Sequence, residues 1–105
     1  RRIEQTVERV VRSIKPDIPP IQLRQYKVAS LKLFSALTGI HKWGYEEYRS
    51  LSKDELRNQW INEWTEKGLD RTILERLFDE VYATIRRIGT RRFLTRERRL
   101  KYIRG

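Results

Sequence analysis

Between positions 3 and 88 the apolar side chains of this chain recur at intervals of three and four, and no stretch of useful length alternates apolar with polar. A period near 3.6 places such residues on one face of a helix, whereas a strand needs a period of two. The spacing therefore predicts an all-α fold. In the first segment, residues 1–15, Ile3, Val7, Val10, Val11 and Ile14 share one face while Arg2, Arg9 and Arg12 lie on the other. Pro16, Pro19 and Pro20 stop that helix, and Pro20 suits the first position of the next. The second helix is expected to run to Thr38, with Tyr26, Val28, Leu31, Phe34, Ala36 and Leu37 as a broad apolar stripe and Gly39 as its stop.

Residues 40–51 are less regular. Tyr45, Tyr48 and Leu51 recur at spacing three around Gly44, which predicts a short helix or single turns. Ser52-Lys53-Asp54-Glu55 is a capping-box pattern, in which a Ser oxygen accepts from the third helical amide and Glu55 reaches back. Leu56, Trp60, Ile61 and Trp64 follow on one face, and Gly68 closes this third helix. Asp70 is placed to cap a fourth, with Leu74, Leu77, Phe78, Val81, Ile85 and Ile88 as its stripe and Gly89 as its end. Thr95 can cap a last short piece bearing Leu100 and Ile103. The short Gly68-Leu69-Asp70 link forces helices three and four to be neighbours. The expected architecture is a four-helix bundle with short additional helical pieces, divided into a bundle over residues 1–89 and a basic tail over 90–105. Its expected core includes Leu31, Phe34, Trp60, Trp64, Leu77, Phe78 and Val81.

Composition supports one modest core: 105 residues, 38% of them hydrophobic, with three Trp, five Tyr and three Phe. Cysteine is absent, which removes disulfides, thiol catalysis and Cys-based zinc sites. Methionine is absent too and the chain opens on Arg1-Arg2, so a segment is expected to precede Arg1. No apolar run is long enough to span a bilayer, and no signal-peptide pattern appears.

The formal net charge is +10, and it is unevenly placed. Residues 1–27 carry seven basic and three acidic side chains, residues 28–85 eight and ten, and residues 86–105 nine and one. Clusters of this density repel themselves, which makes a polyanion the natural partner. The strongest cluster is Arg86, Arg87, Arg91, Arg92, Arg96, Arg98, Arg99, Lys101 and Arg104. Arginine forks onto phosphate oxygens in pairs, and its dominance over lysine here favours phosphate recognition. The competing reading is a solvated helix end in which Arg86 and Arg87 complement the dipole of the fourth helix. Arg2, Arg9 and Arg12 form a second basic face, weakened by Glu4 and Glu8, each within helical pairing distance of an Arg.

Catalysis finds little support. His41 stands alone, and a metal site or triad needs convergent groups. Glu46-Glu47, Asp54-Glu55 and Asp79-Glu80 are adjacent pairs that diverge on a helix. There is no Gly-rich phosphate loop, and no cofactor or small-molecule substrate is expected. Trp60 and Trp64, one turn apart, read as core rather than as base-stacking residues, and Trp43 as a loop or partner contact. A helix-turn-helix is disfavoured. Its recognition helix would be residues 71–85, near neutral with Glu75, Asp79 and Glu80, and the bulky Trp64 sits where close helix approach calls for a small residue.

The end of the second helix (Phe34, Ser35, Ala36, Leu37, Thr38, Gly39), the stretch from Tyr45 to Trp64, and Gly68-Leu69-Asp70 opening the last long helix resemble the coat proteins of filamentous archaeal viruses of the lipothrixvirus and rudivirus type. The resemblance covers most of the chain. It implies a four-helix bundle coating linear double-stranded DNA in a virion, self-association or pairing with a related coat protein, and a flexible N-terminal arm continuing from Arg1 and Arg2. It also implies an intracellular life in the host before assembly. The C-terminal arginine cluster matches no family-wide motif, so its role toward DNA rests on charge. The alternatives are a helical DNA-binding transcription regulator and a basic RNA-associated helical protein. On the non-catalytic reading, the purified protein leaves nucleic acid intact with magnesium, manganese or zinc. Metal-dependent cleavage that disappears on changing Glu46, Glu47, Asp79 or Glu80 would overturn that expectation.

Overall fold

The computed structural model describes residues 2–38 and 51–88, which form four α-helices and no strand: α1 (Arg2–Ile14), α2 (Pro20–Thr38), α3 (Lys53–Glu66) and α4 (Arg71–Ile88). The expectations for Gly39, residues 40–50, Gly89, the Thr95 cap and the tail lie outside the described residues. The three prolines act as expected. α1 closes with the Lys15 amide donating to the Val11 carbonyl at 2.8 Å, and α2 opens with the Leu23 amide donating to the Pro19 carbonyl at 3.0 Å. Ile18, buried between them, plugs the turn into the core.

Local chemistry sets the boundaries of α3 and α4. Ser52 Oγ accepts from the Glu55 amide at 3.2 Å, and Glu55 Oε1 accepts from the Ser52 amide at 3.1 Å, so both halves of the capping box form. At the far end the Gly68 amide donates to the Thr65 carbonyl at 3.0 Å and the Leu69 amide to the Trp64 carbonyl at 3.1 Å. This is a Schellman closure. It requires a left-handed residue, and Gly68 supplies it with φ +98°. Leu69 is buried, which pins the turn. One residue later Asp70 Oδ1 accepts from the Ile73 amide at 3.2 Å and starts α4.

The helices share one core, and α4 packs against each of the other three. Its buried face is broad: Ile73, Leu74, Leu77, Phe78, Val81, Tyr82, Thr84 and Ile85. Phe78 is fully enclosed, with its ring centroid 6.1 Å from that of Trp60 and 5.8 Å from that of Tyr82. Trp60 carries a polar atom into this core, and its Nε1–H donates to the Ala29 carbonyl at 2.9 Å, joining α3 to α2. Tyr26 performs the second cross-link. Its buried Oη accepts from the Asp70 amide at 2.9 Å, joining α2 to the start of α4.

Five of the seven expected core residues are buried: Trp60, Trp64, Leu77, Phe78 and Val81. Leu31 and Phe34 are only half-buried, and Val28 of the same stripe is exposed. Apolar residues surround nearly the whole of α2, so its sequence leaves the inward face open. The core side is set by Leu23, Tyr26, Ala29, Leu33 and Leu37. Leu31 lies two residues from both Ala29 and Leu33, which turns it about 160° away from them.

Burial pushes the Tyr26 phenol up from its ordinary value, a shift that the hydrogen bond from Asp70 partly opposes. Because the folded value is the higher one, the neutral phenol's contribution to stability is complete below about pH 10, where the unfolded chain begins to ionise. It is lost as pH rises through the folded value. Tyr26→Phe leaves the Asp70 amide without its acceptor and is expected to cost about 1–2 kcal/mol near neutral pH. In denaturant titrations the gap from the parent protein narrows under alkaline conditions, where the parent loses what the variant never had. Phe78→Ala removes the centre of the core and is expected to cost about 3–5 kcal/mol, whereas Val28→Ala stays within about 0.5 kcal/mol.

Candidate nucleic-acid interface

The sides of the bundle are largely neutralised by ion pairs between helices. Arg9 of α1 meets Glu80 of α4 at 3.2 Å, Lys27 of α2 meets Glu8 of α1 at 2.8 Å, and Arg57 of α3 meets Asp79 of α4 at 3.3 Å. Glu63 of α3 receives both Lys32 at 2.7 Å and Lys67 at 3.5 Å. The hydrogen bond from Lys27, then its charge, holds the Glu8 carboxyl below its ordinary value, with Arg12 adding to the effect. Glu8 thus pairs across to α2 in place of the within-helix pairing its spacing suggests.

The described residues carry fourteen basic and eleven acidic side chains. Most of the +10 therefore belongs to the remaining positions. Of the expected phosphate-binding residues, Arg91, Arg92, Arg96, Arg98, Arg99, Lys101 and Arg104 lie outside the described residues. Arg2 opens α1. Arg9, Arg12, Arg86 and Arg87 are exposed. Arg9 is engaged with Glu80, and Arg87 donates to Thr84 Oγ1 at 3.3 Å, one turn back on its own helix. Lys15 and Arg24 are further exposed cations that do not stand out in the sequence, because neither belongs to a run of adjacent basic residues.

The fold relates the two basic chain ends. Lys15, just past α1, shares a polar pocket of about 300 Å³ with Gly68, Leu69 and Asp70, just before α4. Arg9, further back along α1, meets Glu80, further forward along α4. The two helices therefore run antiparallel, and the same register carries Arg2 to the level of Arg86 and Arg87. α2 is antiparallel to α1 across the short proline turn, so it ends toward the same side. Adjacent packed helices lie about 8–10 Å apart. The chain thus enters the bundle at Arg2 and leaves it at Ile88 within one small region, the basic pole. The start of α3 adds Lys53, Asp54 and Glu55 to this pole, with Lys53 Nζ 4.4 Å from the centre of the Tyr82 ring, and the opposite end mixes Lys15, Lys67 and Arg71 with Asp17, Glu66 and Asp70.

α4 is poorly placed to act as a recognition helix. It packs on three neighbours, and its outward positions include the ion-paired Asp79 and Glu80. Among the described residues, no group of three or more His, Asp or Glu side chains gathers as metal ligands would. No described helix is long and apolar enough to cross a membrane. The chain matches no family model, no curated protein and no solved structure.

Proposed function

We propose that this chain is a non-catalytic structural protein of a virion, which packages linear double-stranded DNA through arginine–phosphate contacts that ignore base sequence. The observation that carries the reading is the register of α1 on α4, which sets Arg2 level with Arg86 and Arg87, where the two basic stretches of sequence join a bundle whose sides carry interhelical ion pairs. A protein that must bind every sequence depends on phosphates and duplex shape, not on base edges. Nine basic residues against one acid over residues 86–105 provide for the first of these. The resemblance of the end of α2, the Tyr45 to Trp64 stretch and the Gly68-Leu69-Asp70 turn to coat proteins of filamentous archaeal viruses favours the same reading, with self-association or a related coat protein as further partner. The central position of α4 weighs against a helix-turn-helix regulator.

The tail is tested by changing Arg91, Arg92, Arg96, Arg98 and Arg99 to Gln. Each lost phosphate contact is expected to lower the salt slope of duplex binding by about 0.9. Affinity falls for all sequences alike, and thermal stability changes little, since exposed charges contribute little to folding. Unchanged affinity and salt slope would remove the tail as the DNA-binding element and leave Arg2, Arg9 and Arg12 as the next candidates. In electron micrographs with long linear DNA, regular filaments support packaging. Strong preference for one duplex instead indicates a regulator, and preference for structured RNA an RNA-associated protein.

A further inference from the structure

Acidic and basic residues sort to different sides of α1 and α4. On α1, Glu4 and Glu8 stand one turn apart, and the ion pair of Glu8 with Lys27 turns that row toward α2. On α4, Glu75 and Asp79 stand one turn apart, and the pair of Asp79 with Arg57 turns that row toward α3. Between the two rows lies the outer surface where α1 meets α4. It carries Arg9 and Arg12 from α1 with Arg76 and Arg87 from α4, all four exposed. Arg76, Glu80 and Arg87 follow at spacings of four and seven, which aligns them along one line of α4, and the contact of Arg9 with Glu80 sets that line beside α1. Three residues on from Arg9 and four back from Glu80, the antiparallel helices bring Arg12 level with Arg76. Glu80, held by Arg9, is the one acid on this strip among the described residues, and neither Arg12 nor Arg76 is bonded to an acid there.

We propose that this strip is a second phosphate-binding surface, on which Arg9, Arg12, Arg76 and Arg87 hold the duplex backbone along the side of the bundle, apart from the contacts made by the chain ends. The proposal rests on the packaging reading and adds to it where the duplex lies. It also adds Arg76, which belongs to a stretch of sequence, residues 28–85, with eight basic and ten acidic side chains and so gives no sign of a basic surface. The strip runs about 16 Å from Arg76 to Arg87. A duplex carries one charge about every 1.7 Å of its axis, so a strip of this length meets several phosphates at once. Arginine forks onto phosphate oxygens, and a shallow helical surface suits a ligand that presents the same charge repeatedly. The sequence runs on from Arg87 to Arg91 and Arg92, so one polyanion serves both strip and tail. Glu80 limits the grip, because its carboxylate occupies Arg9 and repels a phosphate brought beside it.

Salt titrations of duplex binding by the full chain test the strip. Arg12→Gln and Arg76→Gln are each expected to lower the salt slope by about 0.9. Arg24→Gln changes an equally exposed arginine of α2 that lies outside the strip, and it leaves the slope unchanged. Glu80→Gln acts in the opposite sense. It frees Arg9 and removes a like charge, so affinity rises about threefold and the slope by up to about 0.9. None of these side chains is part of the core, so the helical circular dichroism stays as in the parent. An Arg76→Gln protein with the parent's slope, an Arg24→Gln loss as large as that of Arg76→Gln, or a Glu80→Gln protein that binds no tighter than the parent would each overturn the proposal. In those cases the parent still binds duplex and the packaging reading stands, whereas a parent that does not bind duplex at all sinks both.

Discussion

Packing α4 against three neighbours demands an apolar surface wider than a single stripe, and the rest of the molecule arranges itself around that demand. With eight buried residues on one helix, its charged positions are confined to the flanks. Those flanks meet α1 through Glu80 and α3 through Asp79, opposite Arg9 and Arg57. Exposed pairs of this kind contribute little to stability. Their consequence is electrostatic: Glu8, Glu63, Asp79 and Glu80 each offset a basic group on the sides of the bundle, while by sequence the surplus of positive charge lies at the chain ends. The antiparallel relation of α1 and α4 then sets the start of α1 at Arg2 level with the end of α4 at Arg86 and Arg87.

Features governed by near neighbours are legible in the order of residues alone. Ser52 with Glu55, Gly68 with Leu69, and Asp70 with Ile73 involve atoms within a few residues of each other, and their geometry follows from residue type. The four helices and their order belong to the same category, since 3.6-residue periodicity is local. α2 is harder to read. Its apolar residues occur on every side, and the inward face is chosen by partners far away in sequence: Trp60 bonding the Ala29 carbonyl, and Tyr26 receiving the Asp70 amide. Leu31 and Phe34 sit further out than periodicity suggests for that reason. A carbonyl already within a helix gives no sequence sign that it will accept from an indole 31 residues away.

The candidate interface is legible as charge but not as place. Counting residues locates the excess at the two ends of the chain, whereas only the register of α1 on α4 shows that Arg2, Arg86 and Arg87 lie at one end of the bundle. The same register splits the basic face of α1: Arg9 is engaged with Glu80, whereas Glu8, which the spacing offers to an arginine of its own helix, is bonded to Lys27 of α2 instead. Arg12, Arg86 and Arg87 remain exposed.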